Sequence, residues 1–361
     1  MENEEIDFRK ILEDDKHSSK MKKRMKVSDL LSVNAGLEEV ISSGNGWKIY
    51  LYAKENEKKV DVIKAGQAIV ELGDEVAAFH FARRFKKELI KQLKHDDETL
   101  LDLRNVIANS RNSKYIFEFT DEFQGVKALD YPYSLVQYMQ DKLCKLKGCP
   151  AAKLKFGLMI AGADQEVLSA SIAKERKGDF IVECARAFKK IDLDAMYEGL
   201  AELKDAGTIK WFAKVVKNPN IPVLATIMAQ TDNPKEMYEF ARRYDLSGAP
   251  LKAIQEGLCK MECNPVLKPV EGEYIERFMR RFQDQKVVDL RALQDKLEQT
   301  GSLHWLIACA KEVKNSDKVS IAKTIIDMNN ETSLYIFKTS FSDGEEYVAL
   351  AKQDEALEKK R

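Results

Sequence analysis

The stretch PKEMYEFARRYD, residues 234–245, contains a four-residue element, FARR, that decides how the rest of the chain is interpreted. The same four letters occur at residues 81–84, and a near copy, FMRR, occupies residues 278–281. Paired arginines after an aromatic residue are compatible with a phosphate site, whereas recurrence along one chain is typical of a repeated structural unit. The residues around each copy distinguish these two interpretations.

A helical wheel of residues 234–245 separates the apolar from the charged side chains. Phe240, Ala241 and Tyr244 fall on one face, while Glu239 and the two arginines fall on the other. Glu239 stands three and four residues before the arginines, which is the spacing of helix-stabilising ion pairs. The element therefore predicts an amphipathic helix whose aromatic side packs inward and whose arginines face solvent.

A small residue at the position of Ala241 in the FARR element recurs through the chain. The copies at Ala185, Ala213 and Ala241 are evenly spaced, and the interval from Ala310 to Lys338 is the same as theirs. The same position is occupied elsewhere by Ala53, Ala82, Thr120 and Met279. The other intervals are longer, and the longest separates Thr120 from Ala185. One structural unit is therefore repeated along most of the chain.

A second helical signal precedes each copy. It is an apolar pair four residues apart, followed by a turn rich in Gly, Asn or Asp; Met196 and Leu200, for example, precede KDAG. Each unit therefore predicts a hairpin of two short helices, which cannot bury its apolar face alone. We predict an all-α fold, an α-solenoid of about nine stacked hairpins between residues 27 and 341.

Two departures from the repeat divide the chain. The first 26 residues are highly charged, and the repeat period is lost between residues 124 and 163, although a helix is still predicted from about Ser134 to Lys147. The proline-containing stretch NPVLKPVEGE, residues 264–273, predicts a loop. The predicted segments are a charged N-terminal segment (1–26), N-terminal repeats (27–123), an irregular helical insertion (124–163), C-terminal repeats (164–341) and a capping helix (342–361).

These hairpins resemble a known class of repeat. Lines such as DFIVECARAF (residues 179–188) and KEMYEFARRYD (residues 235–245) are similar to the tandem short helical-hairpin repeats of many uncharacterised bacterial and bacteriophage proteins. The resemblance implies an α-solenoid. An inhibitor or regulator of a host protein would fit such a repeat array if the source is a phage. The tetratricopeptide pattern, with its longer period of about 34 residues, is not matched.

Composition restricts the classes of function. The 361 residues include 59 basic and 59 acidic side chains, so the chain as a whole does not attract nucleic acid or anionic membranes. There is no uninterrupted apolar run of about 18 residues, and the charged N-terminus has no apolar signal region. The six cysteines are scattered among helical patterns, so we expect reduced thiols, a cytoplasmic protein and no membrane partner.

Patterns that carry catalysis or cofactor binding do not occur in the sequence. It contains no GxxxxGK followed by Ser or Thr, and no HExxH, GxSxG or GxGxxG. The close cysteine pairs, Cys144 with Cys149 and Cys259 with Cys263, do not have the CxxC spacing typical of zinc sites. We therefore predict that the chain is not an enzyme and holds no cofactor and no metal.

One doublet, His95–Asp96, resembles the His-Asp pair of metal-dependent phosphohydrolases. That family needs further histidines at set positions, and the four histidines of this chain do not complete the set. Asp96 or Asp97 is better interpreted as the N-cap of a helix that begins near Thr99. A hydrolase using His95 and Asp96 is therefore the least favoured hypothesis.

The arginine pairs and two tryptophans are the candidate partner-binding residues. They are Arg83, Arg84, Arg242, Arg243, Arg280, Arg281, Trp211 and Trp305. We expect a protein or peptide partner on the curved surface that stacked hairpins present. The alternative is a nucleic acid, bound by these arginines and by the basic run KMKKRMK at residues 20–26. The first arginine pair follows His80 and lacks the preceding acid, so this pair is the place where an anionic partner would be expected.

Overall fold

The computed structural model describes residues 36–95, 97–130, 133–262 and 268–358, and all regular secondary structure in these ranges is helical. The predicted all-α class is confirmed. The charged segment 1–26, with its basic run, lies outside the described residues. Within the described ranges, no helix is both long and apolar enough to cross a bilayer.

The contacts divide the chain into two compact units. Among the described residues, the first unit comprises those up to Phe180 together with Ala187–Asp192, and the second comprises Ile181–Arg186 and those from Leu193 onward. The helices of the first unit are α1 (Leu37–Ser42), α2 (Gly46–Glu55), α3 (Val62–Leu72), α4 (Glu75–Arg84), α5 (Lys86–Leu93), α6 (Thr99–Asn109), α7 (Ser113–Phe123), α8 (Leu135–Lys145), α9 (Pro150–Met159) and α10 (Gln165–Ala173).

Helix α11 (Gly178–Ala187) contributes residues to both units. The helices of the second unit are α12 (Leu193–Leu203), α13 (Ala206–Val215), α14 (Ile221–Met228), α15 (Pro234–Arg243), α16 (Gly248–Lys260), α17 (Lys268–Phe282), α18 (Leu290–Thr300), α19 (Leu303–Glu312), α20 (Lys318–Asp327), α21 (Glu331–Thr339) and α22 (Gly344–Glu358). The five segments predicted from the sequence remain predictions. The division into two units is defined by contacts between residues, whereas the segments are defined by the repeat pattern.

Asparagine or aspartate caps the start of eleven of the twenty-two helices in the described ranges. Asn45, for example, accepts a hydrogen bond from the backbone N–H of Lys48, and Asn233 accepts one from that of Glu236. The same cap is made by Asp61, Asp74, Asn112, Asp164, Asp205, Asn220, Asp289, Asp317 and Asn330. Each such cap stabilises its helix by about 1 kcal/mol, which explains why the turns are rich in Asn and Asp.

Within each unit a helix contacts helices that lie close to it along the chain. In the first unit, α2 packs on α3 and α4, and α4 packs on α6 and α7. In the second unit, α14 packs on α16, α15 on α17 and α17 on α19. Second helices of hairpins thus stack on second helices, as α4 does on α7, and first helices stack on first helices, as α14 does on α16. Helices α2 and α4 also contact the first helix of the following hairpin.

The recurring aromatic position forms the core of these stacks. Phe240 and Ala241 are buried, as the helical wheel predicts, and Tyr244 is half-buried. The residue before the small position is likewise fully or almost fully buried in five other hairpins: Phe81, Phe119, Phe212, Phe278 and Phe337. A close-packed aromatic here joins the two helices of a hairpin to the next one.

Two elements differ from the sequence prediction. Helix α5 is an addition to the hairpin pattern; it follows α4 directly at Phe85 and buries Leu89, which accounts for the long interval after Ala82. The loop predicted for residues 264–273 is wrong from Lys268 onward, where α17 begins. Proline is accepted in the first helical turn, because the N–H that it lacks has no acceptor there.

The segment 124–163 holds α8 and α9 as its regular helices. The helix predicted there is confirmed as α8, whose first turn is capped by Ser134. After α8 the chain turns at Gly148 and enters α9, where Lys153 is buried and pairs with Glu175 at 2.6 Å. This ion pair therefore joins α9, which lies in the segment that breaks the repeat, to the turn that follows α10.

Candidate binding surface

The first arginine pair, at the C-terminal end of α4, is matched by carboxylates from other elements. Arg84 Nη2 lies 2.6 Å from Glu57 Oε2, in the connection between α2 and α3, and Arg83 Nε lies 3.9 Å from Glu122 Oε2 of α7. Glu122 is also bound by Lys86 at 3.0 Å. The acid that is missing before this pair in the sequence is thus supplied by its neighbours in space.

The third arginine pair, in α17, has similar partners. Arg280 Nε lies 3.6 Å from Glu276 Oε1, and its Nη1 also bonds Glu312 of α19. Arg281 Nη2 lies 3.8 Å from Asp245 Oδ1. These arginines connect successive hairpins, so binding an anion would require them to exchange an existing partner.

The second pair differs from the prediction. Glu239 does not pair with Arg242 or Arg243; its carboxylate lies 3.7 Å from Lys210 Nζ of α13. Arg242 and Arg243 instead lie over the rings of Tyr238 and Tyr244. The predicted ion pairs are wrong here, because the Glu239 carboxylate contacts a lysine of the previous hairpin instead of the arginines of its own helix.

The two candidate tryptophans have different environments. Phe212 is buried and Trp211 is 52% exposed, so one member of this adjacent pair faces outward. The Lys214 ammonium lies 4.5 Å from the Trp211 ring centroid. Trp305 is half-buried, and a Cβ added at Gly272 of α17 would come within 3.2 Å of its ring. Trp211 is therefore available to a partner, whereas Trp305 mainly packs against α17.

A continuous aromatic cluster lies across α2, α4 and α7 of the first unit. It consists of Trp47, Tyr50, Phe79, His80 and Tyr115, and we call it the His80 face. The His80 ring lies 5.3 Å from Trp47 and 5.8 Å from Tyr50, and Phe79 stacks on Tyr115 at 5.1 Å. Phe79 and Tyr50 are buried, but Trp47 is 37% exposed, so the outer edge of the cluster reaches solvent.

Stacking of second helices explains this cluster. The three helices α2, α4 and α7 are the second helices of successive hairpins, and α4 packs on both of the others. His80 occupies the outward position, two residues before the small residue, where α13 has Trp211 and α15 has Glu239. The sequence gives no signal that Trp47 lies beside His80, because the two residues belong to different hairpins.

Charges of both signs surround the His80 face. Burial lowers the pKa of His80, and Arg83, Lys114 and Lys54 lower it further, while Glu118 acts in the opposite direction. The imidazole is therefore mainly neutral at pH 7. Burial also raises the pKa of Tyr115, and the carboxylates of Glu118, Glu75 and Asp74 add to this effect. The surface is thus aromatic and mixed in charge, not a continuous positive groove.

The potential metal ligands and three of the cysteines can be assessed directly. In the ranges that the structure describes, no group of three His, Cys, Asp or Glu side chains could hold a metal ion. Burial raises the pKa of Cys184 and Cys309 to about 12 and that of Cys259 to about 11, so these thiols are poor nucleophiles at neutral pH. Cys263 lies outside the described residues.

The His95–Asp96 doublet can be followed in part. Asp96 lies outside the described residues, and Asp97 Oδ1 accepts a hydrogen bond from the Thr99 N–H at 3.0 Å. One of the two aspartates therefore satisfies the start of α6, as the capping interpretation predicts.

Comparisons with known protein families, curated proteins and solved structures found no match to this chain.

Proposed function

We propose that this chain is a non-enzymatic α-solenoid binding protein that captures a protein or peptide partner and thereby regulates it. The stacking of first helices on first helices and second on second supports the solenoid arrangement within each unit. A cytoplasmic location and a regulatory role in a bacterial or phage setting belong to the same proposal. They derive from the composition and from the resemblance to short helical-hairpin repeats.

The observation that carries the proposal is the His80 face. Buried aromatics that end in a partly exposed tryptophan and a half-buried histidine give a rigid, amphipathic surface, and such residues dominate the binding energy of protein interfaces. Trp47 is the exposed anchor, and the rings of Tyr50 and His80 beneath it keep its orientation fixed. A side chain of the partner could pack on this cluster with little rearrangement of the cluster itself. The contact would remove water from the apolar surface of that side chain.

Nucleic acid remains the alternative, but the ion pairs count against it. Arg84, Arg280 and Arg281 already contact carboxylates, so phosphates would have to compete with them. A groove for single strands combines stacking aromatics with an unbroken row of cations. Around His80 that row is interrupted by Glu118, which favours a protein partner.

The test compares two exposed tryptophans. Partners are captured from extracts of the source cells, and one captured protein is purified and titrated against the full chain by calorimetry. Trp47→Ala should weaken binding at least tenfold, since truncation of an aromatic anchor removes roughly 2 kcal/mol or more. The matched control Trp211→Ala should leave the dissociation constant within about twofold, a difference below roughly 0.5 kcal/mol.

Equal affinity of the wild type and Trp47→Ala would reject the His80 face as the binding surface. A labelled single-stranded oligonucleotide tests the alternative in parallel. Binding that weakens steeply as salt is raised, and that is lost in a variant with all six candidate arginines changed to alanine, would establish nucleic-acid binding instead.

A further inference from the structure

Tyr335 of α21 is 68% exposed, although the equivalent residue of most earlier hairpins is covered. It stands three residues before the small position, which Lys338 occupies in this hairpin. At the same place, α2, α4, α7, α11, α17 and α19 bury Tyr50, Phe79, Phe117, Val182, Glu276 and Ile307. The exposed tyrosine therefore marks a difference in what covers α21.

In earlier hairpins this residue packs on the second helix of the following hairpin. The ring centroids of Phe79 and Tyr115 of α7 are 5.1 Å apart, and those of Tyr238 and Tyr274 of α17 are 6.0 Å apart. After α21 the described chain supplies α22, which packs mainly on α20, the first helix of the same hairpin as α21, and less on α21 itself. Within the described ranges, the side of α21 that continues the row of second helices is thus uncovered.

Two charged residues flank Tyr335 on this side of α21. Glu331 precedes it by four residues and Lys338 follows it by three, so all three share one helical face. In α17 the place of Glu331 holds Gly272, where an added Cβ would come within 2.9 Å of Ser302 in the next hairpin. The small position is buried in α17 too. The flanking places therefore face the next hairpin where one follows.

These two charges specify what can cover the face. A helix packed on α21 would bury them in part, and a buried charge without an opposite partner is costly. The covering helix must therefore present a cation to Glu331, an anion to Lys338 and an apolar side chain to Tyr335. Helix α21 itself, run in the opposite direction, presents these three groups in that order and spacing.

We propose that α21 binds α21 of a second copy of this chain, antiparallel across a two-fold axis. In this arrangement Tyr335 packs on Tyr335 of the other copy, and each Glu331 faces Lys338 of the other copy. Aromatic pairs between neighbouring second helices already occur within the chain, as between Phe79 and Tyr115. A two-fold contact uses the same surface on both copies and closes at a dimer. This inference goes beyond the proposed function and is tested independently of it.

The contact is small, and the charges around it oppose it. A helix of 9 residues is about 14 Å long, so the contact is well below the area of a standard stable interface, about 800 Å² for each partner. The exposed charged side chains described on α22 and beside the ends of α21 have a surplus of carboxylates: Asp327, Asp343, Glu345, Glu346 and Asp354, against Lys352. Those of the two copies repel each other, although salt screens the repulsion. We therefore expect a weak dimer with a Kd of roughly 10–500 μM.

Sedimentation velocity of the full chain, at concentrations from about 5 to 500 μM, measures this self-association. We expect the mean mass to rise from that of the monomer toward that of the dimer as the concentration increases. Tyr335→Ser should remain monomeric at the highest concentration. The matched control Tyr133→Ser removes a tyrosine of the first unit that is 63% exposed, and it should dimerise like the wild type. Circular dichroism of both variants reports whether they fold.

Exchange of the charges tests the two-fold arrangement. Glu331→Lys and Lys338→Glu each place like charges opposite each other, so each should weaken dimer formation about tenfold. In an equimolar mixture, a Glu331→Lys copy meets opposite charges on a Lys338→Glu copy, so heterodimers should form about as strongly as the wild-type dimer. Both substitutions combined in one chain should restore self-association as well.

Each outcome bears on the contact at α21. Monomers at every concentration would overturn the proposal and leave this face to a segment of the same chain or to a different protein. A dimer that persists in Tyr335→Ser would place the contact elsewhere and overturn it too. Failure of the mixed variants to associate, or a mass that keeps rising beyond the dimer, would refute the two-fold arrangement. None of these results depends on the His80 face.

Discussion

The buried ion pair between Lys153 and Glu175 gives the sharpest stability test of this fold. The Lys153 Nζ lies 2.6 Å from Glu175 Oε1, with side-chain exposures of 2% and 10%. The other oxygen of Glu175 accepts the Gly148 N–H at 2.7 Å. Removing the lysine would therefore leave a nearly buried carboxylate with one backbone donor as its remaining protein contact at these oxygens.

Lys153→Met should lower the free energy of unfolding by about 3 kcal/mol. Removing one partner of a buried ion pair costs roughly 3–5 kcal/mol, and the hydrogen bond from Gly148 still stabilises the remaining carboxylate in part. Adding Glu175→Gln should recover a share of this loss, since the uncompensated charge is gone. Lys314→Met is the matched control. Its pair with Asp284 at 3.0 Å is 65% and 77% exposed, so the loss should stay below about 1 kcal/mol.

Urea titrations of the full chain, followed by circular dichroism at several pH values, provide the measurement. Burial by itself raises the pKa of Glu175, but the bonds from Lys153 and Gly148 outweigh it, so the folded-state pKa lies below the usual 4.5. The pair therefore contributes stability above pH 4.5, and this is lost as the pH falls through the folded-state pKa. A Lys153→Met variant no less stable than Lys314→Met would refute the reasoning.

Two further predictions concern the second unit. Glu276 is 1% exposed and no hydrogen bond reaches its carboxylate within the described structure, so burial raises its pKa despite the nearby Arg280. The buried carboxylate should destabilise the fold increasingly as the pH rises from its usual pKa to its folded-state pKa. Glu276→Gln should therefore raise the free energy of unfolding at pH 7, measured in urea titrations, by about 1.4 kcal/mol for each unit by which the folded-state pKa is raised. An unchanged pH profile would contradict this. Gly257→Ala would place a Cβ 2.5 Å from the Ala229 carbonyl oxygen and should cost roughly 1–3 kcal/mol. Gly207→Ala, whose nearest contact is 3.4 Å away, should change stability by less than about 1 kcal/mol, and similar losses in both would exclude the steric explanation.

Local pattern was sufficient for much of the architecture. The helical class and the inward side of residues 234–245 were both predictable. Each of these features depends on residues that lie within a few positions of one another in the sequence. The periodicity of a helix determines which of those residues share a face. Helix α5 was missed because its apolar residues match neither helix of the repeated hairpin.

Relations between hairpins could not be predicted in this way. Arg84 forms an ion pair with Glu57, which is 27 residues away in the sequence. Glu239 forms an ion pair with Lys210 and not with an arginine of its own helix. Trp47 and His80 become neighbours because α2 packs on α4, and the charges beside the imidazole come from three different helices. Side-chain periodicity specifies which face of a helix is buried, but the stacking angle and register between helices decide which exposed residues share a surface.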